Sequence, residues 1–488
     1  MGGDPPISLK GEAAWRDAAR RLAAGEAELV SLWGDEGRMR AALRESDGAL
    51  AVVDVACQRG AFPSMAAFHA PASRLERTAC DLFGFAAIGA SDDRRWLDHG
   101  RWPLRHPLGR AEPHDGGADA YLFLKAEGPG LHQIPVGPVH AGVIEPGHFR
   151  FHAAGEAVVR LEERLGYVHK GVDALMRGAS VERAGVLAAR VSGDSTVAYG
   201  VAFARAVEAA LRIEPPARAH YLRGVMAELE RIANHLGDIG AICNDAAFAL
   251  MHAHCGILRE RTLRAAKVAF GHRLMMDAVV PGGAAVDLAP EGAEAILALA
   301  REVRKTFPKL VQLYDNTASL QDRTVGTGVL KAELARLYAA GGVIGRASGR
   351  DFDARRDHPY PPYDSLAFKV PTRRAGDVNA RIWMRIEEVG VSLDLLETML
   401  ARLPGGPVRA ALPAPGAASE GFALVEAFRG DVFAHVRLAA DGTVARCHLR
   451  DASWLQWPLL EAAIEGNIVA DFPLCNKSFN CSYSGCDL

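Results

Sequence analysis

The sequence predicts an α+β chain in two modules. A small mixed α/β module covers residues 1–128, and a mainly α-helical module covers residues 129–488 and ends in a partly β segment. Three observations carry that prediction. From Ala111 to about Gly137 the composition turns to Gly, Pro, His and Asp, as a linker's does. Upstream, Ala49–Val55 is an apolar run of strand length. Downstream, Leu222, Val225, Leu229, Ile232, Leu236 and Ile239 recur at the three- and four-residue steps of one helix face.

In chain order, the first module holds the Ala49–Val55 strand and a second expected strand at Ser64–Ala72. Inside the linker, Tyr121-Leu122-Phe123-Leu124 reads as a short strand. The helix through 222–239 carries Glu228, Arg231, Asn234 and His235 between its apolar positions. The same period returns at Glu291–Thr306 and Ile382–Leu403. Pro404–Ser419, rich in Pro, Gly and Ala, reads as a loop before the partly β stretch Phe422–Leu449.

Lys and Arg number 56 against 59 Asp and Glu, a net charge of −3, with 49% hydrophobic and 24% charged residues. That composition excludes disorder and fibrous repeats. Its near-neutral balance argues against a nucleic-acid partner or a polybasic membrane surface. No uncharged apolar run approaches the ~18 residues of a membrane span. Met-Gly-Gly-Asp-Pro-Pro at the start lacks the basic and apolar regions of a secretory signal. Eight Cys in so long a chain make no disulfide scaffold, so a reduced cytoplasmic setting is expected.

Motifs spread over most of the chain resemble one family of subunits. They are Gly137-Pro138-Val139-His140, Gly155-Glu156, Gly166-Tyr167-Val168-His169-Lys170-Gly171, Asn234-His235, Pro281-Gly282-Gly283, Arg323 through Gly328, Arg346-Ala347-Ser348-Gly349 and Arg385-Ile386-Glu387-Glu388. In this order they resemble the 49-kDa subunit of respiratory complex I and the large subunit of membrane-bound nickel–iron hydrogenases. Gly142 through Phe149 is worded most like the hydrogenase-4 and formate-hydrogenlyase branch. Glu76 through Gly84, followed by Trp102 through Leu108, resembles the 30-kDa complex I subunit. The resemblance therefore implies a 30-kDa-like module at 1–128, with a structural docking role, fused to a 49-kDa and hydrogenase-large-subunit-like module at 129–488.

Large subunits of this kind hold a nickel–iron centre with four thiolates from two C-x-x-C pairs. The first pair's frame, Arg-x-Cys-Gly-x-Cys, reads here Arg190-Val191-Ser192-Gly193-Asp194-Ser195, with hydroxyls at both ligand positions. Serine stays protonated at neutral pH and is a hard, poor ligand for such a centre. The second pair falls on Ser482 and Gly485, flanked one residue off by Cys481 and Cys486. Those two thiols, with Cys475, are the candidates for any other metal; otherwise they are unligated thiols of the C-terminal tail. The chain ends almost at the motif, so the C-terminal extension clipped in that family has no expected counterpart. The family's proton-relay carboxylate overlays Glu145 and the arginine of its E-A-P-R-G motif overlays Arg429. Together these read as a proton relay or as a buried ion pair bracing two segments.

Complex I binds a quinone head group in the same cavity through a His and a Tyr. Those positions fall on Ile144 and Gly193 here, which leaves His140 and Tyr199 as the polar residues that could face it. Lys170 and His235 overlay the residues that the family sets beside the terminal iron–sulfur cluster of a neighbouring small subunit. The resemblance thus implies no nickel–iron centre, a quinone or small molecule between Glu145, Ser192, Ser195, Arg429 and the C-terminal tail, and any NAD(H) chemistry on a partner. Expected partners are a 20-kDa-like iron–sulfur small subunit and antiporter-type membrane-arm subunits, with the chain on the cytoplasmic face of the membrane. A non-catalytic coupling subunit and a true hydrogenase-4-type enzyme are the alternatives.

Overall fold

The structure, a computed structural model, describes residues 7–114, 117, 120–414 and 416–488. The first module is built on a four-stranded sheet of β1 (Ile7–Lys10), β2 (Ala27–Asp35), β3 (Arg38–Glu45) and β4 (Leu50–Ala56). Its order is β1-β4-β3-β2, with β1 parallel to β4 and the other pairs antiparallel. Helix α1 (Glu12–Ala24) lays Trp15, Ala18, Ala19 and Leu22 on this sheet and ends on Gly25 in the left-handed region. Helix α2 (Ser73–Phe83) carries the Glu76–Asp81 signature.

Two expected strands are absent, for one physical reason. After Ser64, whose amide still reaches the strand carbonyl of Ile88, the backbone donors of Met65 and Ala66 go to a carboxylate rather than to a neighbouring strand. Glu76 accepts from Ser64 Oγ (2.7 Å), Met65 N (2.5 Å) and Ala66 N (3.1 Å), and a 3-10 turn follows at Ala70–Ala72. At Tyr121–Leu124, Glu162 accepts from Tyr121 Oη (3.1 Å) and Leu124 N (2.6 Å). The strand of that stretch lies further on, at β5 (Leu131–Val136). It pairs with β6 (His148–Ala154), which pairs with β7 (Ala157–Arg164), all antiparallel.

The second module contains α3 (Thr196–Leu211), α4 (Ala217–Asp245), α5 (Ala249–Phe270), α6 (Pro290–Asp315) and α7 (Val378–Ala401). Beyond them come β8 (Ser419–Ala427), β9 (Gly430–Leu438) and β10 (Val444–Arg450), an antiparallel sheet in that order. The three predicted helices and the partly β stretch are present. Helix α4 is not amphipathic in the expected sense, however. Glu228, Arg231 and His235 are as buried as Leu229 and Ile232. They belong to an interior ion cluster with Arg346, Asp353, Arg355, Glu388 and Glu426, all at most 2% exposed. Buried charges persist only when paired in this way.

The boundary near residue 128 falls in irregular chain, yet the core runs across it. Trp15, Phe62 and Leu82 share one apolar cluster with Phe149, Phe151, Trp457 and Phe472. The outer face of the first sheet also packs on the last one, through Val30, Trp33, Ala42 and Val52 against Leu424 and Phe433. Trp33 stacks on His448 (5.2 Å between ring centroids), Ser31 Oγ lies 2.8 Å from His448 Nε2, and Arg40 Nη1 donates to Glu420 (2.8 Å).

Candidate functional site

Four segments distant in sequence meet around a cavity of about 550 Å³. They are the loop between β5 and β6, the Ser192–Ser195 turn that starts α3, the β8–β9 hairpin turn bearing Arg429, and α8 (Phe472–Phe479) with the stretch after it. Residues 480–488 reach it because their own ends are tied down. The Asp487 carboxylate accepts from Gly166 N (2.9 Å) and Val168 N (3.0 Å), and the Leu488 carbonyl accepts from Lys170 N (2.7 Å) and Gly171 N (3.1 Å). Gly147 makes room for the segment, since a Cβ there would lie 2.5 Å from the Tyr483 ring.

Of the sequence-predicted residues, Glu145, His140, Ser192, Arg429, Cys481 and Ser482 line the cavity. Ser192 and Ser482 are 3.1 Å apart, Oγ to Oγ, so the two stretches on which the expected ligand frame falls meet here. Ser195 lies buried beneath, 3.1 Å from Arg429 Nη1. His140 contacts Tyr483 Oη (3.3 Å) and the Pro138 carbonyl (3.1 Å). Lys170, half-buried, donates through Nζ to the Val191 carbonyl (2.9 Å); burial lowers its pKa, against the pull of Glu145 and Asp487.

Three placements differ from the sequence reading. Glu145 and Arg429 are not paired: Glu145 is exposed and accepts from Ser484 N (3.0 Å), while Arg429 forms a two-pronged ion pair with Asp194 (2.8 and 2.6 Å). Asp194 is not a ligand position of the motif frame, so the frame does not point to it; an acid between two hydroxyls is the one signal of it that the sequence carries. Burial would raise its pKa, but Arg429 and the hydroxyls of Ser192 and Ser195 outweigh burial and lower it to about 2. Tyr199 does not face the cavity; it is fully buried and donates to Asp451 (2.9 Å). His235 presents no surface to a partner, being fully buried with Nε2 2.8 Å from Glu388.

The residues present do not fit a nickel–iron centre. Ser192, Ser195 and Ser482 commit their hydroxyls to one another, to Asp194 and to Arg429. At the fourth ligand position even a Cβ has no room: built on Gly485, it would lie 2.9 Å from both Asp451 Cγ and Ser482 Oγ. Nor do the flanking thiols substitute. Cys481 Sγ turns to Gln456 Oε1 (3.9 Å), and Cys486 is buried behind the cavity wall. Burial raises both thiols well above their ordinary range, so neither favours a thiolate. Cys475 packs apart from them, beside Arg381 and Gly328. Among the described residues no three His, Cys, Asp or Glu side chains come together as a metal site.

The fold and the comparisons that follow place the chain in the large-subunit class of complex I-type oxidoreductases. Residues 245–418 match the family model described as "Respiratory-chain NADH dehydrogenase, 49 Kd subunit". Formate hydrogenlyase subunit 5 of Escherichia coli (strain K12) is 32% identical over 449 residues, covering 89% of this chain and 78% of that protein. An NADH-quinone oxidoreductase subunit of Salinispora tropica is 34% identical over 342 residues, 69% of this chain and 88% of that protein. The fold is shared with a chain of the membrane-bound sulfane sulfur reductase, an archaeal respiratory membrane complex (TM-score 0.69, 23% identity, covering 73% of this chain and 98% of that one). The chain belongs to the complex I 49-kDa and energy-converting hydrogenase large-subunit family, whose members are subunits of oxidoreductase complexes. None of its own helices is long and apolar enough to cross a membrane, among the described residues.

Proposed function

We propose that this chain is the large subunit of a membrane-associated, complex I-like oxidoreductase that works without a nickel–iron centre. It sits on the cytoplasmic face of the membrane arm against an iron–sulfur small subunit, and a quinone or other small acceptor occupies its cavity. One observation carries the reading: Glu145, Ser192, Ser482 and Arg429, from four separate segments, surround a single cavity large enough for a small organic ligand. Electrons come from the partner's cluster. Glu145, exposed at the cavity and hydrogen-bonded to one backbone amide, supplies protons to the reduced acceptor. Lys170, held against Val191, supports the wall next to that partner. The test is purification of the tagged chain with whatever accompanies it, followed by metal and quinone analysis. Recovery of an iron–sulfur subunit and membrane-arm subunits, with iron but no stoichiometric nickel, is expected; about one nickel per chain refutes the reading.

A second reading, a non-catalytic coupling subunit, is favoured by the closed hydrogen-bond net of Asp194, Arg429, Ser192 and Ser482, which leaves no free ligand group at the former metal positions. Quinone or another acceptor bound in the purified complex decides for the first reading over the second.

A further inference from the structure

The misfit to a metal centre raises the question of what holds the site together instead. The C-terminal segment and the 192–195 turn touch directly at Ser192 and Ser482 (3.1 Å), and Asp487 and Leu488 hold the far end of the segment. One guanidinium adds contacts to both stretches. Arg429 gives Nη1 and Nη2 to the two oxygens of Asp194 (2.8 and 2.6 Å), Nη1 also to Ser195 Oγ (3.1 Å), and Nε to the Asn480 carbonyl (2.6 Å). Asp194 in turn accepts from Ser192 Oγ (2.9 Å), whose oxygen lies 3.1 Å from Ser482 Oγ. Ser482 Oγ then accepts from Gly485 N (2.9 Å). The Arg429 side chain is only 6% exposed and Asp194 is its one ion-paired carboxylate among the described residues. A charge held that far from water needs a counter-ion in contact.

We infer that Asp194 is a positioning residue that replaces a metal centre as the organiser of this site: by holding Arg429 it fastens segment 480–488 to the 192–195 turn, so the segment docks without any metal. This rests on the reading of residues 192–195 and 482–485 as a former ligand frame, and it holds whatever the cavity binds. Two independent features point the same way. The carboxylate provides a planar, two-oxygen match to the guanidinium fork, which a point ligand would not. The Gly485 position is crowded by Asp451 and Ser482 as they stand, a Cβ there lying 2.9 Å from each, so no side chain at 485 takes part in organising the site.

The test is hydrogen–deuterium exchange of residues 480–488 in the full-length chain, which reads docking directly and requires no partner or activity. Against untreated wild type, four samples decide it: wild type after exhaustive chelation, D194N, D194E and R429Q/D194N. Chelated wild type is expected to exchange within twofold of untreated protein. D194N, which keeps the shape but loses the charge, is expected to exchange at least tenfold faster in this segment, and D194E to fall between the two. An R429Q/D194N double variant is expected to be no faster than D194N alone, because both changes remove the same link. Release of the segment by chelation overturns the inference, as does unchanged exchange in D194N. If D194N does not accumulate as folded protein, wild type and D194E decide: chelated wild type within twofold of untreated protein together with faster exchange in D194E supports the inference, and release of wild type by chelation, or D194E exchange equal to wild type, refutes it. Loss of partner subunits in the co-purification would sink the proposed function while leaving this result standing.

Discussion

Replacing Arg346 by methionine removes the central guanidinium of the interior ion cluster while keeping most of its apolar stem. In the native protein this fully buried group donates to Glu388, to Glu426 Oε1 (3.0 Å) and to the Phe352 carbonyl (2.9 Å), and it stands 3.3 Å from Asp353. Arg231, Arg346 and Arg355 face Glu228, Asp353, Glu388 and Glu426, so the cluster already has one carboxylate in excess. Glu426 responds to that excess: burial first, then the charge of Asp353, pushes its pKa up to about 7. Removing one partner of a buried pair costs about 3–5 kcal/mol. With a second positive charge missing, Glu426 is driven further toward its neutral form. Its folded pKa lies above its unfolded value near 4.5, so folding takes up a proton and stability falls as pH rises from 4.5 toward the folded value. The variant extends that window upward, so its penalty grows between pH 6 and pH 8. Urea unfolding of wild type and R346M at both pH values measures it. A loss below about 1 kcal/mol at pH 8, or the same loss at both, refutes the view of these groups as one interdependent cluster.

Because Glu145 and Arg429 are separate, their variants should part company. E145Q is expected to cut turnover of the assembled complex more than tenfold with an unchanged melting temperature, whereas R429M lowers stability as well, by about 1–3 kcal/mol after allowance for the partial exposure of Asp194. Thermal melting and activity on the same preparations separate the two. G485A places a methyl 2.9 Å from Asp451 Cγ and Ser482 Oγ, and is expected to cost about 1–3 kcal/mol by overpacking, read by denaturant midpoint. His69 is buried with neither ring nitrogen bonded, and burial lowers its pKa from 6.5 to about 4. The unfolded chain therefore binds a proton that the folded one refuses, and stability is lost as pH falls from 6.5 toward 4. H69L should flatten the stability–pH curve in that window by about 1.4 kcal/mol per pH unit; an unchanged slope would assign the acid sensitivity elsewhere.

Three of the long helices, α4, α6 and α7, were legible because burial on one face leaves a three-and-four period, whereas α3 and α5 were not read from the sequence. The same period misled about polarity. Glu228, Arg231 and His235 sit between apolar positions, and a local pattern cannot reveal that charges from Arg346, Asp353 and Glu388 arrive to neutralise them. Short strands failed where a single distant carboxylate, Glu76 or Glu162, takes up the backbone donors of a loop. At the candidate site the motif frame singles out Ser192, Ser482, Glu145 and Arg429, and all four line one cavity. It could not pair them, because the preference of Arg429 for Asp194 over Glu145 depends on which of two acids the hairpin turn happens to reach.

The packing of the first sheet on the last also sets a timetable for biogenesis. Ser31 meets His448 across 417 positions of chain. At roughly 5–20 residues per second, a ribosome needs on the order of 20–80 s to deliver the second after the first. For that interval Val30, Trp33, Ala42 and Val52 have no Leu424 or Phe433 to cover them. Those apolar side chains therefore wait without their native cover for most of the chain's synthesis.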